Sequence, residues 1–275
     1  MKRVLSTLKA RFFMSDRLDR IVSASLEAGA AAMAIYDAGI TAETKSDGSP
    51  VTEADRQAEA ILLKALTAGF PDIPVVAEEE AAAGRIPEIG ERFFLVDPLD
   101  GTREFIGRNG EFTVNVGLVE AGLPRLGVIY APCLGRIFAG DGDSCWQGEV
   151  EEGRITARRP MRVRPAPSEP VAVASRSHAT PETAHWLERH AIRHIACRGS
   201  SLKFCLLASG EADLYPRFGR TMEWDTAAGQ AILQCAGGLV VTPDGQPLRY
   251  GKRQNDFANG NFIALADPAL LASLR

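Results

Sequence analysis

Leu18, Ile21, Val22, Leu26, Ala30 and Met33 recur at three- and four-residue steps, the period of one helical face, and predict a helix over residues 16–37. Gly29 falls inside it, at a cost of about 1 kcal/mol relative to Ala. Lys45-Ser46-Asp47-Gly48-Ser49-Pro50 has the composition of a loop. Thr52 then has the character of an N-cap, and Ala58, Ile61, Leu62, Ala65 and Leu66 form the apolar face of a second helix ended by Gly69 and Pro71. Ile73 to Ala77 reads as a short strand, and Phe93 to Val96 as a buried one that stops just before Pro98. Gly and Pro punctuation then separates apolar runs over 112–119, 126–130, 136–139 and 144–146, the pattern of an antiparallel meander. Residues 165–170, rich in Pro, read as a linker. Beyond them strands over 171–174, 192–195, 212–216 and 239–241 alternate with helices over 181–189, 200–208 and 225–235. Strands followed by β/α alternation predict an α/β (α+β) chain of two lobes, residues 1–165 and 166–275, with a site between them.

Composition narrows the picture. A 45% apolar share over 275 residues can bury a core, and the net charge of −4 gives no footing for a general nucleic-acid binder. The basic run from Arg154 to Arg164 lacks interleaved aromatics and reads as a solvated hairpin face. Cys133, Cys145, Cys197, Cys205 and Cys235 are odd in number and form no C-x-x-C pair, which fits a reducing compartment. His178, His185, His190 and His194 have no neighbouring acid that completes a zinc motif and read as surface residues. No apolar run approaches membrane-spanning length, and Lys9 and Arg11 break any signal-peptide core before Met14, itself an alternative initiator after a basic start open to disorder. A cytoplasmic enzyme without stable membrane insertion is the expectation.

The chemistry concentrates in Asp97-Pro98-Leu99-Asp100-Gly101-Thr102. Two carboxylates and the Leu99 carbonyl, at the carboxyl end of a strand, make a hard-oxygen set suited to Mg²⁺. The N–H groups of Gly101 and Thr102 open the next segment and are placed to face a phosphate. A plain Pro/Asp/Gly turn accounts for the same hexamer. Glu78 and Glu79 follow the strand before it, so these acids converge if the two strands are neighbours; a solvated acidic run is the alternative. Asp225 stands at the start of a helix as an N-cap, or brings a further carboxylate across the cleft. Asp55 completes a capping box with Thr52, or accepts a hydrogen bond from Thr102 and helps it deprotonate a water. Ser200, Ser201 and Lys203 open one helix and Arg217 ends a strand; both cations are surface charge, or face the cleft and grip a phosphate.

Taken together, Glu78-Glu79, the hexamer from Asp97 to Thr102 and Trp224-Asp225-x-Ala227-Ala228-Gly229 resemble the inositol monophosphatase superfamily of Mg²⁺-dependent, Li⁺-inhibited phosphatases, from about Met14 to the C-terminus. Within it, Arg103 to Ile106, Asn109 to Asn115, Ser175-Arg176-Ser177-His178, Gly199 to Phe204 and Tyr215 to Gly219 are most similar to the 3′(2′),5′-bisphosphate nucleotidases of bacterial sulfur assimilation. The resemblance implies a layered αβαβα sandwich. It implies Glu78, Asp97, the Leu99 carbonyl, Asp100 and Asp225 as ligands of roughly two or three Mg²⁺ ions. Asp55 and Thr102 would activate the water, with Glu79 in support. Lys45, Gly101, Thr102, Arg176, Ser200, Ser201, Lys203 and Arg217 would meet the substrate, a phosphorylated nucleotide. Inositol monophosphatases usually carry a Glu where Arg217 stands. The implied protein is a monomer or homodimer, cytoplasmic or peripheral to the inner membrane. The Glu78-Glu79-Glu80 triplet leaves the ligand register open by one residue. The alternatives are an inositol-phosphate or other sugar-phosphate phosphatase of the same fold, and a non-catalytic nucleotide or metal sensor.

Overall fold

Helix α1 (Lys2–Ala38) continues N-terminally past the Asp16 start that periodicity predicts. The computed structural model describes residues 2–45, 48–177 and 179–274, with side chains from residue 16 onward; Ser46, Asp47 and His178 lie outside the described residues. The buried stripe of α1 is Leu18, Ile21, Val22, Ala24, Ser25, Ala28 and Ala32, with smaller side chains than the predicted face. Gly29 explains the shift: a Cβ there would stand 2.3 Å from the Tyr130 ring. The glycine that weakens the helix lets it lie against the sheet.

The hairpin β1 (Ala42–Thr44) and β2 (Pro50–Thr52) leads into α2 (Glu53–Gly69), which starts from the expected Thr52/Asp55 capping box. Next come β3 (Val75–Ala77), the short α3 (Glu78–Ala82), β4 (Arg92–Asp100) and α4 (Thr102–Ile106). The meander is β5 (Thr113–Glu120), β6 (Leu123–Ala131), β7 (Arg136–Gly140), β8 (Cys145–Glu151) and β9 (Arg154–Pro160). These strands form a seven-stranded sheet in the order β3-β4-β5-β6-β7-β8-β9, with β9 as its exposed basic edge.

After residues 165–170, which form no helix or strand, come β10 (Val171–Ser175), α5 (Pro181–Arg189), β11 (His194–Arg198), α6 (Leu202–Ala208) and β12 (Leu214–Arg217). Then follow β13 (Thr221–Met222), α7 (Ala227–Cys235), β14 (Leu239–Val241), β15 (Ala258–Asn259), β16 (Phe262–Leu265) and α8 (Leu270–Ser273). The second sheet runs β11-β10-β12-β16-β14, and β13 pairs with β15 separately. Strand β16 lies between β12 and β14, antiparallel to both, and its four residues are all buried. A run that short gives no alternation by which to recognise it.

Helices α1 and α2 cover one face of the first sheet. Helices α6 and α7 fill the space between the sheets, where one apolar cluster joins Phe93 and Leu95 to Phe204, Ile232 and Phe262. Leu187 of α5 and the C-terminal leucines Leu270, Leu271 and Leu274 close the outer face of the second sheet. The order is the expected αβαβα sandwich. Among the described residues no helix is long and apolar enough to cross a membrane.

Candidate active site

Strands β3 and β4 are parallel neighbours with Ala77 opposite Val96. The next residue on each chain is therefore an acid at the same sheet edge, Glu78 and Asp97. Strand β4 does not stop at Pro98 as its sequence suggests. It continues to Asp100 through a bulge, with Asp97 opposite Asn115 and Asp100 opposite Thr113. Pro98 sits in that bulge, where the missing N–H leaves no ladder bond unmade. The bulge sets Asp97, Leu99 and Asp100 on one cleft of about 230 Å³. Asp97 Oδ1 accepts the Leu99 N–H at 3.0 Å, which fixes the carboxylate. Gly101 follows in the left-handed region at φ 96° and starts α4; a Cβ there would be strained and 3.2 Å from the Glu111 carbonyl oxygen.

The fourth acid, Asp225, arrives from the turn that leads into α7. The start of that helix lies on two glycines of the sheet: a Cβ at Gly127 would come within 2.2 Å of the Ala228 carbonyl oxygen, and one at Gly117 within 2.9 Å of the Ala227 Cβ. This close approach brings Asp225 over the end of β4. Asp225 is not the N-cap of α7; Thr226 is, and Asp225 Oδ2 instead accepts the Met222 N–H at 2.8 Å. The Ser201 hydroxyl lies 2.6 Å from Asp100 Oδ2 and 2.7 Å from the Asp225 carbonyl oxygen, the two acceptors for its proton. Asn115 donates to both Ser201 Oγ at 2.9 Å and Asp100 Oδ2 at 3.3 Å. Ser201, expected to meet substrate, thus spends its hydroxyl tying Asp100 to the start of α7. Asn115 was given no role by sequence reasoning, although it ends the run from Asn109 that carries the nucleotidase resemblance.

Asp55 is used at both oxygens. Oδ2 accepts the Thr52 N–H at 2.7 Å and hydroxyl at 2.6 Å, while Oδ1 accepts the Thr102 hydroxyl at 3.1 Å. The Leu99 carbonyl is the alternative acceptor for Thr102, at 3.4 Å. The capping and site alternatives for Asp55 are therefore both realised in one geometry.

Burial and crowding dominate the electrostatics. Burial, then the charges of Glu78, Asp100 and Asp225, hold the Asp97 carboxyl well above the usual range; burial, then Asp100 and Glu78, do the same to Asp225. Burial also raises Glu78 and Asp100, and pushes Glu79 up to about 7. Among the described residues no three His, Cys, Asp or Glu side chains close into a ready coordination sphere. Lys45 stands between two of them, donating to Glu78 at 2.8 Å and Glu79 at 2.6 Å. Burial works against its ammonium, but those two acids keep its pKa above the ordinary value. Glu80 turns outward to Arg85, at 2.6 and 2.7 Å, so Glu78 is the member of the triplet that lines the cleft.

The same cleft is lined by two cations. Lys203, 5% exposed, donates to the carbonyls of Ser200 and Arg198 and sits over the Tyr215 ring. Burial lowers its pKa to about 8, with Arg217 adding to the shift and Asp100 opposing it. Arg217 lines the same cleft from the end of β12 and donates to the Arg220 carbonyl at 3.1 Å. Ser200 also lines it. Arg176 does not: it is exposed, and its guanidinium forks onto Glu111 with both bonds at 3.0 Å.

A model of the inositol monophosphatase family matches residues 15–274. The chain is 44% identical over 247 residues to the 3′(2′),5′-bisphosphate nucleotidase CysQ of Salmonella typhimurium, an alignment covering 89% of this chain and 98% of that one. It is 42% identical, with the same coverage, to the CysQ of Escherichia coli K12. Among solved structures, CysQ from Bacteroides thetaiotaomicron superimposes with a TM-score of 0.74 at 37% identity, covering 91% of this chain and 97% of that one. The IMPase of Thermotoga maritima does so with a TM-score of 0.76 at 26% identity, covering 94% and 95%.

Proposed function

The chain belongs to the inositol monophosphatase family, and we propose that within it the protein is a metal-dependent phosphomonoesterase that converts adenosine 3′,5′-bisphosphate to AMP and phosphate. The observation that carries this reading is one cleft lined both by the acids and by two buried cations, Lys203 and Arg217. The donor set fits Mg²⁺. Glu78, Asp97, Asp100, Asp225 and the Leu99 carbonyl are hard oxygens with no His or Cys among them. The like charges that raise Asp97 and Asp225 are the imbalance a divalent cation relieves. When bound, Mg²⁺ supplies polarisation of the phosphoryl group and a lowered pKa for water.

The chain's own residues do the rest. Thr102 Oγ1 takes a proton from the attacking water while passing its own to Asp55 Oδ1. Burial raises the Asp55 pKa, which suits that carboxylate to receive it. The Gly101 and Thr102 amides face the scissile phosphate. Lys45 balances Glu78 and Glu79, the latter in support of the ligands. Lys203 and Arg217 hold the second phosphate, which a monoester lacks. Ser200 lies on the same path, and Arg176 reaches substrate only by leaving Glu111. In this reading residues 1–165 form the lobe with most ligands, and 166–275 the lobe that brings Asp225 and the cations. The enzyme works in a reducing cytoplasm, its cysteines as thiols.

Phosphate release from adenosine 3′,5′-bisphosphate, 3′-AMP and inositol 1-phosphate tests the assignment, with LiCl against KCl at matched ionic strength. The bisphosphate is the expected best substrate and Li⁺ the selective inhibitor. A preference for inositol phosphate would leave only the family assignment standing. A pH dependence follows from Lys203. Its pKa is lowered, so its charge is present below about 8 and lost above. KM for the bisphosphate should rise between pH 7 and 9 while KM for 3′-AMP stays flat. A parallel rise for both would remove Lys203 from the second phosphate.

A further inference from the structure

Three acids open α3, and each brings a negative charge to a helix only five residues long. Its N-cap is Ala77, which has no side-chain acceptor for the first free N–H groups. The acceptor comes from another helix. Glu59 of α2, 4% exposed, accepts the Glu79 N–H at Oε2, 2.8 Å away, and the Glu80 N–H at Oε1, 3.0 Å away. Glu59 lies one helical turn after Asp55, on the same buried face of α2.

On stability alone this is a poor choice. A fourth carboxylate is buried beside Glu79 and Glu80, and its charge opposes theirs. A neutral amide would cap with less repulsion, but it has a single oxygen and would meet one of the two N–H groups with an NH₂. A carboxylate accepts each N–H on an oxygen of its own, two bonds from two points, and so fixes the rotation of α3 about its axis. That rotation decides which member of the triplet enters the cleft.

We infer that Glu59 is a positioning residue: by clamping the Glu79 and Glu80 amides it sets the register that turns Glu78 into the cleft and Glu80 out to Arg85. The inference rests on the proposed metal reading. It treats α2 as one rigid part that carries both Asp55 and, through Glu59, the orientation of Glu78. Groups that orient metal ligands without touching the ion are typically worth 10- to 100-fold in metal affinity.

The test is Mg²⁺ binding to the full chain by titration calorimetry, with no substrate present. Thermal unfolding in chelator and phosphate release at saturating Mg²⁺ are measured alongside. Glu59→Ala should weaken Mg²⁺ binding by about 10- to 100-fold. Glu59→Gln should fall between it and the wild type, because one oxygen still accepts one N–H. Both should recover kcat to within about threefold at high Mg²⁺, since Glu59 meets no reacting atom. A fall in Tm with unchanged Mg²⁺ affinity would make Glu59 a plain helix cap and overturn the inference. If Glu59→Ala does not fold, wild-type Mg²⁺ affinity in Glu59→Gln overturns it equally. An Asp97→Asn control with undiminished Mg²⁺ binding would instead sink the metal reading, and this inference with it.

Discussion

Asp97→Asn should lower phosphate release by at least ~10³-fold and leave the fold as stable as before, or more so. The side chain is 2% exposed at the meeting point of Glu78, Asp100 and Asp225, so it is the centre of the acid cluster. An amide keeps its shape, and the amide oxygen still accepts the Leu99 N–H. What is lost is a negative charge that the metal-free protein holds at a cost. The Asp97 pKa is raised on folding, so above its ordinary pKa the ionised group opposes folding; the amide removes that opposition. Thermal unfolding in chelator should therefore give an unchanged or higher Tm, while activity at saturating Mg²⁺ disappears. A variant that turns over at the wild-type rate with a chelator present would refute metal dependence. A variant that fails to fold would mean that Asp97 holds the bulge rather than the ion.

The contrast between what the sequence foretells here and what it leaves out has physical causes. Asp97, Asp100 and Glu78 were legible because strand ends are marked by local chemistry: an apolar run that gives way to acids, with a Pro between the two aspartates. Their convergence needed one further fact, that β3 and β4 are neighbours, which parallel pairing supplies. The continuation of β4 through Pro98 was not legible, because a bulge depends on the opposite strand and not on the residue itself. Strand β16 was missed for a similar reason: four buried residues carry no period. Ser201 and Asn115 were visible as residues but not as partners. Their hydrogen bond spans 86 positions in sequence, and only the folded chain shows that both serve Asp100. Glu59 was hidden by its own plausibility, since a Glu on an amphipathic helix reads as solvated until its two backbone donors appear.

Asp55→Asn and Thr102→Ala should each lower kcat by about 10²–10⁴, and the double variant should be little worse than either. The geometry makes the coupling specific. Thr52 offers two donors to Asp55 Oδ2, its N–H at 2.7 Å and its hydroxyl at 2.6 Å. In the Asn variant both are best met by the amide oxygen, which leaves the NH₂ facing Thr102 Oγ1. Thr102 Oγ1 then accepts from that NH₂, where its hydroxyl had donated to the carboxylate at 3.1 Å, and turns its own proton to the Leu99 carbonyl. The capping box survives, so stability should change little, but no carboxylate is left to take up the Thr102 proton, and an amide carbonyl is too weak a base to do so. Thr102→Ala removes the same path from its other end. With either half gone the other has no task left, and a second substitution costs nothing more. Removal of two independent contributions would instead multiply the losses. A multiplied loss in kcat, read at saturating Mg²⁺ so that binding is held constant, would show that Asp55 serves only its helix. Thr102 would then act through the Leu99 carbonyl, its other acceptor at 3.4 Å.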